Sequence, residues 1–351
     1  MGYTSAERAL AVLHGEIPDR VPIFEYLIHD GVFGRVGYPD IRAGDVDAYL
    51  KACSHCLDIC HPVLNAPFAP GERQNADGSR TIVERWMKWE VPPPAAVLTE
   101  AETLRRLKAA VELLEEGGQP PDYGGLLAEK KRRGAFTGDM LYIAIGAGCA
   151  LPYGNTESSI MLYADHPELV ERRVALENRR TMERLQATAY PELSAVAIVW
   201  VDIAVKGRLF YSPDTLERLF YPALRGICDL LHSRGIKVIY HSDGDVSAAL
   251  PALAECGIDG FNPLEITAGM DYTSFKKYYG KRIALVGGLD AVGILAHGSA
   301  GDVAAGARRL IDVAGAGGGL IAASASGQID GSMPTENVMA YFETVWEYGK
   351  Y

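Results

Sequence analysis

Lys237-Val-Ile-Tyr-His-Ser-Asp-Gly-Asp-Val-Ser-Ala-Ala-Leu-Pro-Ala-Leu-Ala-Glu-Cys-Gly-Ile-Asp-Gly-Phe-Asn-Pro263 contains one full repeat of the fold. Lys237 to Tyr240 is an apolar, β-branched and aromatic run that reads as a strand. Val246 to Cys256 follows as a helix, stopped at Gly257, a residue that enters the left-handed conformation without steric cost. Asp259-Gly-Phe-Asn-Pro263 then reads as the next strand. Strand, helix and strand with connections this short form a parallel βα unit.

The same rhythm extends in both directions. Toward the C-terminus, Tyr272 to Tyr279 is a helix closed by Gly280, and Arg282 to Val286 a strand. Val303 to Ala314 is a helix, Gly319 to Ala322 a strand, and Thr335 to Tyr348 the last helix. Toward the N-terminus, Ser212-Pro-Asp-Thr215 opens a helix with Ser at the N-cap and Pro at the first position, ending at Arg234-Gly235. Ala195 to Val201 is a β-branched run suited to burial on both faces of a parallel sheet. Asp165-His-Pro-Glu168 begins a helix to about Ala189, and Leu141 to Ile145 is strand-like. The expected class is α/β, and the number of units fits a (β/α)8 TIM barrel better than an open sheet. No G-x-G-x-x-G follows the first strand, against a dinucleotide fold. Gly315 to Gly319 precedes a strand, so it reads as an αβ turn, not a phosphate cradle.

The N-terminal part is less regular. Thr4-Ser-Ala-Glu7 has the pattern of a capping box, with Gly15 ending its helix. Arg20 to Glu25 reads as the first strand, Val46 to Ile59 as a helix, and Pro62 to Asn65 as the second strand. Residues from about 70 to 134 are expected to leave the barrel as a β-hairpin and helical excursion within a single domain spanning 1–351. Its marks are the Asn75-to-Gly78 turn, the Trp86–Trp89 segment, Pro92 to Pro94 and a capping-box pattern at Thr99 to Glu102.

The chain has 351 residues, 48% hydrophobic and 23% charged, enough for one large barrel. A formal charge of −11 gives no basic face, so nucleic acid is not expected as a partner. No apolar run approaches the ~20 residues that span a bilayer. Met1 to His14 is amphipathic and not signal-like, so a cytoplasmic location is expected. Six cysteines do not suggest a disulfide scaffold. Cys53, Cys56 and Cys60, beside His55 and His61, could form a metal site, but their spacing on a helix gives one apolar stripe, and the core reading is favoured.

In such a barrel, polar residues just past each strand face the active site. They are Glu25 and His29, then Asp202, then His241 with Asp243 and Asp245, then Glu265, Asp290, and Ser324 with Ser326. Asp245, Ser324 and Asp290 read equally well as helix caps. His241 does not, because it leaves an apolar strand for a loop too polar for a core histidine. With Asp202, Asp243 and Glu265 it offers either a divalent-metal site or a general acid–base set. Tyr26, Tyr153 and Phe261 are the aromatic residues expected near the mouth, with ordinary core as the alternative.

Several segments then carry a resemblance. Arg20-Val-Pro22, Tyr240 to Asp245, Gly257 to Leu264, Ala268 to Asp271, Tyr279-Gly280, Gly287 to Asp290, Pro334 to Asn337 and Tyr348-Gly349, in this order, resemble the uroporphyrinogen decarboxylase superfamily. The resemblance is densest from Asp202 onward and implies a (β/α)8 barrel and a dimer. The decarboxylases carry an arginine-rich N-terminal segment for substrate carboxylates, whereas Ile23 to Asp30 here has acids and no arginine. Asp58 matches their catalytic aspartate, but Ser326 stands at the place of a late histidine. The resemblance is therefore nearer to the cobalamin-dependent methyltransferase branch, which holds zinc through His-x-Cys and a later Cys. His241 matches that histidine, while Asp243 and Ser326 stand at the cysteine positions. It implies zinc on His241, Asp243 and Glu265, and methyl transfer from a small O- or N-methylated substrate to a corrinoid protein. Glu25, Tyr26, His29, Tyr153, Phe261, Asp290 and Ser326 are the expected substrate contacts. The alternatives are a lyase of a small carboxylic acid and a non-catalytic tetrapyrrole or corrinoid carrier.

Overall fold

The computed structural model describes residues 2–61, 67–76, 78–91, 100–118, 121–154, 156–325 and 328–351. Eight strand positions close a ring. β1 is the bridging pair Ile23 and Phe24 and β2 is Ile59–Cys60. β3 is Leu141–Tyr142, continued by Ile145–Ala147, and β4 is Val196–Trp200. β5 is Lys237–His241, β6 Gly260–Asn262, β7 Ala284–Leu289 and β8 Leu320–Ser324. The second half of β3 through β8 forms one parallel sheet. Parallel bridges Ile23–Ala322 and Phe24–Ile59, and the pairing of Ile59 with Leu141, complete the circle. The joints carry ladder hydrogen bonds: Phe24 N–H to the Ala322 carbonyl at 3.0 Å and Leu141 N–H to the Asp58 carbonyl at 2.8 Å.

The barrel interior is filled by alternate residues of the strands, as the two-residue period of a strand requires. Phe24, Ile59, Leu141, Ile143, Val196, Ile198, Ile239, Val286 and Ile321 meet there. The helix Ser5–Leu13 plugs the amino-terminal end with Ala9, Val12 and Leu13. Its predicted capping box is present: Glu7 N–H bonds to Thr4 Oγ1, and the Glu7 carboxylate accepts from Thr4 N–H. At the other end, Tyr26 and Trp200 form the last layer. The complementary residues, among them Ile23, Val199, Tyr240, Phe261 and Leu285, pack outward against the helices.

Three expectations change. The helix predicted over Val46 to Ile59 ends at Ser54, and Ile59–Cys60 is already β2. The strand predicted at Pro62 to Asn65 lies outside the described residues, as do Pro92 to Pro94 and Thr99. The cysteines consequently do not share a helix: Cys53 is helical, Cys56 lies in the turn and Cys60 in the strand. All three are buried, free thiols in the core, and burial pushes the Cys56 thiol up to about 12. Between β2 and β3 the excursion is a three-stranded antiparallel sheet, Gly71–Gln74, Arg80–Val83 and Lys88–Val91, one strand more than a hairpin. The helices Glu100–Glu116 and Tyr123–Thr137 follow. Trp86 anchors this sheet: its ring lies 5.7 Å from Phe33 and 5.5 Å from Tyr49, and its indole N–H donates to Asp30 at 3.3 Å.

Candidate active site

Register places Trp200, His241 and Asn262 side by side at the carboxyl ends of β4, β5 and β6. Partners in register point to the same face, so these three line the mouth together. Asn262 is buried, and its side-chain N–H donates to the Val286 carbonyl at 2.8 Å. That carbonyl can only accept, so the amide orientation is fixed and Asn262 Oδ1 faces His241 Nδ1 at 2.7 Å. Nδ1 therefore carries the proton, and Nε2 presents a lone pair toward the mouth. This is the arrangement in which a neighbouring group prepares a histidine for a metal.

The polar loop after β5 closes over hairpin Ala204–Leu209. Gly244 has φ +86°, and a Cβ there would lie 2.6 Å from the Ala204 carbonyl carbon, so the close approach requires glycine. Asp243 N–H donates to Asp202 Oδ1 at 3.0 Å, and Ile203 N–H to Ser242 Oγ at 3.1 Å. Asp243 Oδ1 stands 3.8 Å from His241 Nε2 and has no hydrogen-bond partner. Burial first, then the neighbouring Asp202 and Glu265 charges, raises the Asp243 carboxyl, with His241 opposing the shift. Ligand atoms of Asp202, His241 and Asp243 lie within 4.8 Å of one another, the one such cluster among the described residues. An acceptor-ready imidazole with two carboxylates, one oxygen of them unpaired, fits a hard or borderline divalent cation.

The expected ligand set therefore changes in one member. Glu265 Oε2 accepts from Gly244 N–H at 2.9 Å and its Oε1 from Thr267 at 3.3 Å. It clamps the loop that carries Asp243, and Asp202 takes its place in the cluster. Of the expected substrate contacts, Tyr26 is at the mouth: its oxygen accepts the Trp200 indole N–H at 3.3 Å, and burial lifts its hydroxyl to about 12. Tyr153 lies beside the cluster, in a cavity of about 460 Å³ that also includes Val201, Asp202 and Tyr211.

Others have structural duties. His29 Nδ1 caps the helix Asp30–Arg35, and its Nε2 lies 2.8 Å from the Met333 carbonyl, so both ring nitrogens are engaged. Asp290 caps the helical turn Ala291–Leu295 through Gly293 N–H at 2.8 Å. Phe261 is wholly buried among Tyr240 and Phe275, outside the barrel interior. Ser326 lies outside the described residues. Glu25 is 3% exposed and holds Ser324, accepting its N–H at 2.6 Å and its hydroxyl at 2.7 Å. Burial raises the Glu25 carboxyl to about 8.

Asp58, matched to a catalytic aspartate by resemblance, precedes β2 and so lies at the opposite end of the barrel. It pairs with Arg8 at 2.6 Å and Arg20 at 2.7 Å and accepts Ile23 N–H at 2.9 Å, tying the N-terminal helix to β1 and β2. His61, expected only as a neighbour of the cysteine cluster, is the first residue after β2 and belongs to the mouth, where its ring meets Trp200 edge-on at 4.5 Å. The strand-end rule would have found it had β2 been placed at Ile59–Cys60.

Residues 152–348 match the model of the family described as uroporphyrinogen decarboxylase (URO-D). The chain belongs to that family. Among solved structures it is similar to a methyltransferase from Methanosarcina mazei, 18% identical, covering 99% of each chain with a TM-score of 0.63. It also matches a sugar phosphate isomerase/epimerase from Parabacteroides distasonis, 10% identical, over 72% of this chain and 92% of that one, with a TM-score of 0.34. No curated protein matches. Within the URO-D fold the match begins just before the cavity at Tyr153 and includes Asp202, His241, Asp243 and Glu265.

Proposed function

We propose that this URO-D family protein is a methyltransferase that removes a methyl group from a small O- or N-methylated compound and delivers it to a corrinoid protein. The observation that carries the reading is the cluster of His241, Asp202 and Asp243 at the barrel mouth, with a free imidazole lone pair and an unpaired carboxylate oxygen. The end-to-end likeness to a methyltransferase fold is consistent with it. The first strand-end loop, Glu25 to Asp30, contains no arginine to hold the carboxylates of a substrate with many of them.

His241, Asp202 and Asp243 would hold zinc or a similar divalent ion. Such an ion supplies Lewis acidity that stabilises negative charge developing on the substrate heteroatom. Asn262 keeps the His241 ring oriented, and Glu265 keeps the Asp243 loop closed. Tyr26 retains its proton through the physiological range and can donate it to a substrate heteroatom, since its oxygen already accepts from Trp200. In the reaction the bond from heteroatom to methyl carbon breaks with its electron pair left on the heteroatom. The heteroatom takes up a proton, and the methyl group passes to the acceptor. Transfer requires the mouth to remain open to a protein partner, as the strand-end position of the cluster allows.

The test is elemental analysis of protein purified without a metal-affinity tag, alongside His241→Ala. Stoichiometric zinc that is lost in the variant, followed by methylation of a reduced corrinoid protein from a panel of methyl ethers and methylamines, is the expected result. Absence of metal from the unaltered protein removes the Lewis-acid mechanism and turns the assignment to a metal-free lyase.

A further inference from the structure

Among the described residues at the mouth, His61 stands out as a polar group with no role in the metal cluster. It follows β2 and is more than nine-tenths buried. Its Nδ1 is shielded from solvent and has no hydrogen-bond partner. The ring stands edge-on to Trp200 at 4.5 Å and 6.2 Å from Tyr26, the two residues that form the top layer of the barrel interior. A buried nitrogen left unpaired forfeits its hydration with nothing in return, and interiors seldom tolerate that without a use.

We propose that His61, with Trp200 and Tyr26, forms a subsite that receives an uncharged hydroxyl or carbonyl group of the methylated substrate. This rests on the methyltransferase reading and names the substrate class. Geometry gives the partner its character: one imidazole nitrogen to hydrogen-bond, walled by two aromatic rings. Burial, and secondarily His241, holds the His61 pKa down to about 3, so the ring is neutral and gives no charge to bind an anion. Glu265, outside the metal cluster, opposes a carboxylate further. A polar site built for a hydroxyl rejects an analogue that lacks it, because the protein nitrogen stays unpaired.

The experiment compares three probes with one shared body. They are 2-methoxybenzyl alcohol, 2-methoxytoluene, which lacks the hydroxyl, and 2-methoxybenzoate, which replaces it with a charge. Dissociation constants are measured by equilibrium titration on the full-length protein and on His61→Phe, which keeps an aromatic ring and removes both nitrogens. The alcohol is expected to bind about tenfold tighter than either analogue, and His61→Phe to abolish that preference. Equal binding of the alcohol and 2-methoxytoluene, tighter binding of the benzoate, or no measurable binding of the alcohol overturns the proposal. Should His61→Phe fail to fold, histidine ¹⁵N spectra of the unaltered protein decide: the alcohol must shift the His61 ring nitrogens, and an unmoved signal overturns the subsite. Neither measurement needs a methyl acceptor. Failed methyl transfer with an intact hydroxyl preference would therefore refute the reaction and not the subsite.

Discussion

Glu25→Gln should stabilise the protein in a way that grows with pH. Glu25 is enclosed, and its carboxyl is raised from 4.5 to about 8, chiefly by burial. In the unfolded chain it ionises near its ordinary value; in the folded chain it stays protonated until pH approaches 8. Below about pH 4.5 both states are protonated and the group is neutral in its effect. As pH rises through the interval, the unfolded state gains the favourable ionisation first, and folding stability falls by about 1.4 kcal/mol per pH unit. The full difference across 3.5 units is about 5 kcal/mol, an upper figure for a group whose surroundings can relax. Glutamine is almost the same shape and cannot ionise. Its oxygen can accept the Ser324 N–H, and its amide can donate to Ser324 Oγ, so both contacts of the native carboxyl have a counterpart. Urea unfolding of both proteins at pH 5, 6.5, 8 and 9, within about half a unit of each setting, reads the difference directly. Glu25→Gln should gain little at pH 5, increasingly more up to pH 8, and nothing further at pH 9. A difference that is flat across this range would show that Glu25 is solvated or ionised in the folded protein, contrary to its burial against Ser324.

Two further outcomes follow from the same geometry. Asn262→Leu keeps the side-chain volume but removes the acceptor that holds the His241 Nδ1 proton, so zinc affinity should fall about 10- to 100-fold, measured by competition with a chromophoric chelator. Unchanged affinity would mean that the tautomer is set elsewhere. Asp58→Asn leaves Arg8 and Arg20 facing a neutral amide in a buried site and should destabilise the fold by about 3–5 kcal/mol in thermal or urea unfolding. Zinc content of the folded fraction should be unaffected, because Asp58 lies at the far end of the barrel from His241; loss of metal in folded Asp58→Asn protein would contradict that placement.

The alternation of apolar runs with capped, glycine-terminated helices was enough to read the parallel barrel, because βα periodicity is written locally in each segment. The strand-end rule also singled out Asp202, His241 and Asp243, which the structure brings to the mouth together with Tyr26, one of the aromatic residues expected there. Where it misled, the cause was a small offset or a competing hydrogen bond. With β2 expected after His61 and found before it, His61 was read as a neighbour of the cysteines and not as a strand-end residue. Strand direction puts Asp58 at the base and His61 at the mouth, three positions apart, and only the ring of paired strands fixes which end is which. His29 and Asp290 are polar residues at strand ends as expected, but each helix that follows has unsatisfied N–H groups that take the side chain first.

By itself, then, the sequence determined the fold class, the residues eligible for the site and a net charge of −11, since these depend on residue type and short-range spacing. Tertiary structure alone decided which carboxylates join His241. Glu265 and Asp202 are equivalent as sequence: each is an acid just after a strand. Gly244 N–H, 21 residues from Glu265, draws that carboxylate onto the loop. Asp202 receives the Asp243 N–H instead, which leaves the two aspartates beside a single imidazole lone pair. Such a choice between equivalent groups depends on backbone donors from distant segments, and no local pattern encodes where those donors point.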